Sequence, residues 1–274
     1  MKPDDAFLAR GGAEQVPVSG TRGGQRFEVL DWVAEEVPVA LEFNGISHAV
    51  MLATPADLGD FALGFGLSEG IFASAADLYD HEVSHSPQGI TVHMEVSARS
   101  LAGLKDRRRT LAGRTGCGVC GTESLDQVLR PIPAVSSSVA VRASAVARAM
   151  RGMQTRQALC EATGAVHAAA WCSADGAVHI VREDVGRHNA LDKLIGAMAT
   201  ASIDGGAGFI AVTSRASVEM VQKAAAAGAP MLAAVSAPTL LAVHSAQAAG
   251  MSLVGLARKG NLVVYSHADR VVLD

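Results

Sequence analysis

Apolar residues follow two rhythms along this chain. In the second half, short apolar runs alternate with stretches at helical spacing. Val166-His-Ala-Ala-Ala-Trp-Cys172 and Val178-His-Ile-Val181 read as strands joined at Asp175-Gly176. Residues 208–213, 231–235, 252–256 and 262–265 read as further strands, and 189–198, 217–227 and 239–249 as helices. Strands alternating with helices predict a mainly parallel sheet covered on both faces.

The first half reads differently. Val39-Ala-Leu-Glu-Phe43 and Ile46-Ser-His-Ala-Val-Met-Leu52 flank Asn44-Gly45, a hairpin signal because both turn residues need positive φ. In Thr54-Pro55-Ala56-Asp57, Thr54 is expected to cap a helix with Pro55 at its first position. Leu58, Phe61, Ala62 and Phe65 follow at helical spacing, and Gly70 ends the helix. Ile90-Thr-Val-His-Met-Glu-Val96 alternates as a strand, and 98–111 is a basic helical segment containing Arg107-Arg-Arg109. Ser124-Leu-Asp-Gln127 resembles a capping box for a short helix that Pro131 must stop. Residues 1–25 are Gly-rich and polar, and 131–138 resemble a linker. This divides the chain into a flexible N-terminus (1–25), a smaller N-terminal α+β domain (26–135) and an α/β/α domain (136–274).

Composition narrows the class. With 274 residues, 49% apolar and 18% charged, the chain has a globular composition and enough length for a proper core. A net charge of −4 supplies no global field toward nucleic acid or anionic membrane. The N-terminal ten residues lack an apolar signal-peptide core. Residues 224–243 carry no charge, but Gly228, Pro230 and Pro238 interrupt them, so they are expected as helix end, strand and new helix rather than a membrane span.

Three groups of residues carry chemistry. Cys117 and Cys120 lie in Gly116-Cys-Gly-Val-Cys-Gly121, a pliant loop preceded by Arg107–Arg109 and Arg114. Positive charge and a nearby helix start favour thiolate, which can attack a persulfide and carry away its outer sulfur. A zinc ribbon would need a second close pair, and Cys160 and Cys172 are twelve apart. A thioredoxin-like pair should follow a strand and open a long helix. Cys160 and Cys172 read as small buried hydrophobes. On physical grounds Cys117 and Cys120 are tied.

The second group lies at strand ends. Thr213-Ser-Arg-Ala-Ser217, Ser236-Ala-Pro-Thr239 and Ala257-Arg-Lys-Gly-Asn261 each follow a predicted strand, where ligands of open α/β sheets bind. Ser214, Arg215, Ser217 and Thr239, with Arg258 and Lys259, would suit phosphates; the plainer reading makes Ser217 and Thr239 ordinary helix caps. The third group is Arg182-Glu-Asp-Val-Gly-Arg-His-Asn189, continued by Asp192 and Lys193. Its polarity points to a site or an interface, and its alternative is a salt-bridged helix start. His188 stands either as a base or as a satisfied hydrogen-bonder, and His167 is expected in the core.

These runs together resemble the formate dehydrogenase accessory protein family, the FdhD-type sulfurtransferases. The resemblance extends in order from Asn44-Gly45, Thr54-Pro55 and Ser68-Glu-Gly70 through Gly113–Gly121 and Thr163-Gly164 with His167-Ala168-Ala169. It continues through Arg182–Lys193, Ser214–Ser217 and Ser236–Thr239 to Leu253-Val-Gly-Leu-Ala-Arg258. It implies a cytoplasmic sulfur carrier that takes persulfide sulfur from a cysteine desulfurase. The sulfur would pass to the molybdenum cofactor, a bis(molybdopterin guanine dinucleotide), for formate dehydrogenase. It assigns the persulfide to Cys117, with Cys120 assisting, and implies a cytidine-deaminase-like three-layer α/β/α sandwich for the larger domain. It maps cofactor binding onto Leu256, Ala257, Arg258, Lys259, Gly260 and Asn261; Arg187 and His188 join the strand-end residues as candidates. The family more often has Phe at the position of Leu256, and orders the glycine and basic residue differently. No metal is expected: zinc deaminase chemistry needs His-x-Glu, and His167 is followed by Ala168-Ala169. The alternative function is a non-enzymatic cofactor chaperone. A homodimer is expected, and no nucleic acid or membrane partner.

Overall fold

A computed structural model describes residues 12–112 and 132–274, with backbone alone over 106–112. The N-terminal half holds strands β1 (Ala13–Arg22), β2 (Gln25–Ala34), β3 (Val37–Phe43) and β4 (Ile46–Ala53). These are followed by helix α1 (Leu58–Ser68), β5 (Leu78–Ser86), β6 (Gly89–Val96) and α2 (Ala98–Ala112). The C-terminal half runs β7 (Val141–Arg142), α3 (Ala143–Gln154), α4 (Ala158–Thr163), β8 (His167–Ser173), β9 (Val178–Asp184) and α5 (Arg187–Thr200). Then come β10 (Gly208–Val212), α6 (Val218–Ala226), β11 (Met231–Ala234), α7 (Leu240–Ala248), β12 (Ser252–Arg258), β13 (Asn261–Ser266) and β14 (Val271–Val272).

The expected hairpin forms: β3 and β4 pair antiparallel, with Asn44 at φ 45° and Gly45 at φ 77°. Their sheet has the order β4-β3-β6-β5, and β3–β6 is its one parallel pair. Val39, Leu41 and Phe43 of β3 and Val92, Met94 and Val96 of β6 alternate onto one face. Phe61, Ala62 and Phe65 of α1 cover that face with Leu104 of α2. The segment expected to be flexible to residue 25 enters a paired strand at Ala13. β1 and β2 form a hairpin from Ala13↔Ala34 to Arg22↔Gln25.

The second sheet has six strands in the order β13-β12-β11-β10-β8-β9. It corrects the expectation of a mainly parallel sheet. Only β10–β11 and β11–β12 run parallel; β8–β9, β8–β10 and β12–β13 are antiparallel. The cause is local: the turns at Asp175-Gly176 and Lys259-Gly260 fold their strands back as hairpins, which are antiparallel by construction. Strand alternation splits the apolar runs between two layers. Ala169, Trp171, Ile210, Val212 and Leu232 face α5, α6 and α7, whereas Ala168, Ala170, Cys172, Phe209, Ala211 and Met231 face α3. The uncharged stretch 224–243 is the end of α6, β11 and the start of α7. Among the described residues no helix is long and apolar enough to cross a membrane.

The two halves meet where α1 crosses α5. A side chain at Gly64 would collide with the Asp192 carbonyl oxygen, and one at Gly196 with that of Asp60. Only glycine permits this approach.

Candidate functional site

The three strand-end loops join into one surface. Ala216 and Pro238 form an isolated parallel bridge beyond the ends of β10 and β11. The Ser236 amide donates to Ser214 O at 3.4 Å, the Thr239 amide to Ala216 O at 3.0 Å, and the Leu256 amide to Ser236 O at 3.2 Å. Ser214, Arg215, Ser217, Thr239 and Leu256 are therefore neighbours along the carboxyl edge of the parallel strands, the usual place for a ligand.

Leu256 departs from the strand. Its φ is 53°, within a register shift between Gly255 and Arg258. A branched side chain at positive φ is strained, and such strain with a bulge gathers beside functional sites. Ala257, only 3% exposed, points into the core under α3, so it offers a ligand only backbone. Arg258 and Asn261 pair across a two-residue turn of Lys259 (φ 53°) and Gly260 (φ 79°), and all four are exposed. The basic run is thus a hairpin tip past the edge, carrying two cations on an accessible loop.

Arg187 and His188 begin α5 and approach the same edge through α6. His188 Nε2 lies 2.6 Å from Glu219 Oε2, with the carboxylate off the ring N–H direction. Burial pushes the His188 pKa below its ordinary 6.5 against the opposing pull of Glu219. His167, expected in the core, is half-buried at this edge. Burial and then the Arg187 charge push its pKa down, and the neighbouring Ala168 amide donates to Thr213 Oγ1 at 2.9 Å. Sequence reading missed Glu219; its signal was an acidic residue two positions after Ser217, in the first turn of a helix.

The remainder of the polar run from Arg182 to Lys193 joins the two halves. Lys193 and Asp184, both fully buried, pair at 2.7 Å. Thr54 lies between them: its amide donates to Asp184 Oδ2 at 3.0 Å and its carbonyl accepts from Lys193 Nζ at 2.9 Å. Thr54 is therefore no helix cap. The residue before α1 is Asp57, in the left-handed region. A second buried centre has Lys223 bonded to Asp192, Glu69 and Ser68 at 2.8–3.0 Å. Arg182 pairs with Asp60 at 2.7 Å. Glu183 accepts from the Leu159 and Cys160 amides at the start of α4.

Cys172 is fully buried, and burial pushes its thiol up to about 12. Cys160 is partly exposed, with its pKa raised by burial and by Glu183. Neither is poised as a thiolate. Cys117 and Cys120 lie outside the described residues, as does the short helix expected after Ser124.

A model of the FdhD/NarQ family matches residues 34–272 of this sequence. The chain is 58% identical to the sulfur carrier protein FdhD of Variovorax paradoxus (strain S110), covering 99% of this chain and 98% of that one. It is also 58% identical to the sulfur carrier protein FdhD of Cupriavidus necator, covering 93% and 88%. Among solved structures, a protein from Desulfotalea psychrophila described as a formate dehydrogenase accessory protein superposes with a TM-score of 0.75. That match has 22% identity and covers 95% of this chain and 99% of the other, so it establishes a shared fold.

Proposed function

The chain belongs to the FdhD/NarQ family, and from that premise we propose that it carries sulfur from a cysteine desulfurase to the molybdenum cofactor that formate dehydrogenase requires. Cys117 is the acceptor. Its thiolate attacks the outer sulfur of the donor's persulfide; the donor's S–S bond breaks, a new one forms on Cys117, and the donor leaves as a thiolate. Cys120 stabilises or resolves that persulfide. The reaction needs reduced thiols, which suits the cytoplasm.

The observation that carries the ligand half of this reading is the joined strand-end surface. Three hydroxyl-bearing loops, a strained Leu256 and the Arg258–Lys259 tip line one edge. Phosphates of a guanine dinucleotide are the ligand chemistry such an edge suits, through hydroxyls, cations and helix starts. The domain is read as a cytidine-deaminase-type sandwich, supported by its mixed sheet between α3 on one face and α5–α7 on the other. A homodimer would set the thiol loop of one copy against the cofactor edge of the other.

Complementation separates carrier from chaperone. A Cys117→Ala variant, produced at normal levels in cells lacking the native protein, is expected to reduce formate dehydrogenase activity to background. Activity kept near the unsubstituted level would favour a chaperone that binds the cofactor without handling sulfur.

A further inference from the structure

The start of α6 carries unsatisfied groups that neither the fold nor the strand-end loops explain. Ser217 precedes α6, the position where a hydroxyl ordinarily accepts from the second or third helical amide. It makes no such bond; among the described residues its Oγ has no partner although the residue is only 9% exposed. At α7, Thr239 caps as expected, accepting from the Ala242 amide at 3.3 Å. Two further buried atoms come from the start of α5: among the described residues Arg187 Nε has no hydrogen bond, and His188 Nε2 has only the poorly aligned Glu219 carboxylate, in the first turn of α6.

A buried polar group without a partner costs about 1–3 kcal/mol. Ser217 Oγ and the His188 ring lie at the positive end of a nine-residue helix, with the Arg187 charge acting on His188, a setting that calls for an anion. One anion is already present. Glu219, in the first turn, brings its carboxylate to His188 while its side chain stays 55% exposed. That exposure leaves it free to swing into solvent.

We propose that Glu219 is an internal stand-in for a phosphate of the bound ligand: on binding, the phosphate takes the α6 amides, Ser217 Oγ, Arg187 and His188 as its donors, and Glu219 is displaced. This rests on the strand-end reading of the ligand site and adds a residue that sets affinity by competing for the same donors. Linkage gives the pH dependence. Burial, Arg187 and Lys223 lower the His188 pKa and Glu219 raises it. A phosphate of greater charge than the carboxylate raises it further, so binding takes up a proton and strengthens as pH falls toward 6.5. Removing the Glu219 charge lowers the free protein's His188 pKa and relieves repulsion of the phosphate.

Calorimetric titration of the full chain with pyrophosphate, at pH 8 and pH 6.5, tests this. Glu219→Gln is expected to bind about tenfold more tightly than the unsubstituted protein at pH 8, the scale of one screened like charge at short range. The unsubstituted protein gains affinity between pH 8 and 6.5, and Ser217→Ala weakens binding at both. Equal or weaker binding by Glu219→Gln, with the unsubstituted protein binding normally, would overturn the stand-in role and leave the ligand edge intact. Absence of pyrophosphate binding by every form would overturn the anion site itself.

Discussion

At the residue scale, the polar run from Arg182 to Lys193 divides its work. Asp184, Asn189, Asp192 and Lys193 are buried, and each reaches a partner in the other half of the chain: Leu52, Thr54 or Ser68. Arg187 and His188 turn to the ligand edge. Burial pushes the Lys193 pKa down against the pull of Asp184. Removing one member of such a pair leaves the other charge buried and uncompensated, typically a loss of about 3–5 kcal/mol. Lys193→Met is therefore expected to lower unfolding stability by about that much in urea titration, and Asp184→Asn added to it should restore part of the loss. A loss below about 1 kcal/mol would show that the buried pair gripping Thr54 does not hold the halves together. The sequence made this run conspicuous but not its destination. Thr54 lies 130 residues from Asp184, and the local pattern Thr-Pro-Ala-Asp fits a helix cap equally well. Ser217 and Thr239 were indistinguishable as caps in sequence; only Thr239 is one.

At the scale of elements, apolar alternation located β3, β4, β6, β8, β10, β11 and β12 because each packs against helices. It missed β5, whose positions are almost all exposed or half-exposed and polar, so no alternation marks them. It missed β1 and β2 for a different reason: their apolar residues, such as Val29, Leu30 and Val33, stay on an exposed ribbon whose pairing is carried by backbone bonds. Helix α3 was legible and passed over: Ala145, Val146, Ala149 and Met153 recur at helical spacing and all are buried. The apolar spacing marks helices α1 and α5, although α1 starts at Leu58 and not at Pro55; their crossing leaves no mark, because a glycine shows no sign of what approaches it. Gly64→Ala is expected to force the crossing apart, at about 1–3 kcal/mol of stability or more. Gly103, where an added Cβ meets nothing within 4 Å among the described residues, is the control whose alanine should cost little. Equal midpoints of thermal unfolding for both variants would contradict the close-approach account.

At the scale of the molecule, two sheets with separate cores are locked by buried charge, and the ligand edge sits on the larger one. The lock gives that edge a rigid base. Cys117 and Cys120 fall in the sequence between α2 and β7, outside the described residues. Sulfur transfer by Cys117 is the central claim, and intact-protein mass spectrometry tests it most directly. After incubation with a cysteine desulfurase and cysteine, the chain should gain roughly 32 Da, one sulfur atom moved by thiolate attack. The gain should vanish on treatment with a reductant and be missing from Cys117→Ala. A chain that gains no sulfur with Cys117 intact, or gains it equally in Cys117→Ala, would contradict the account.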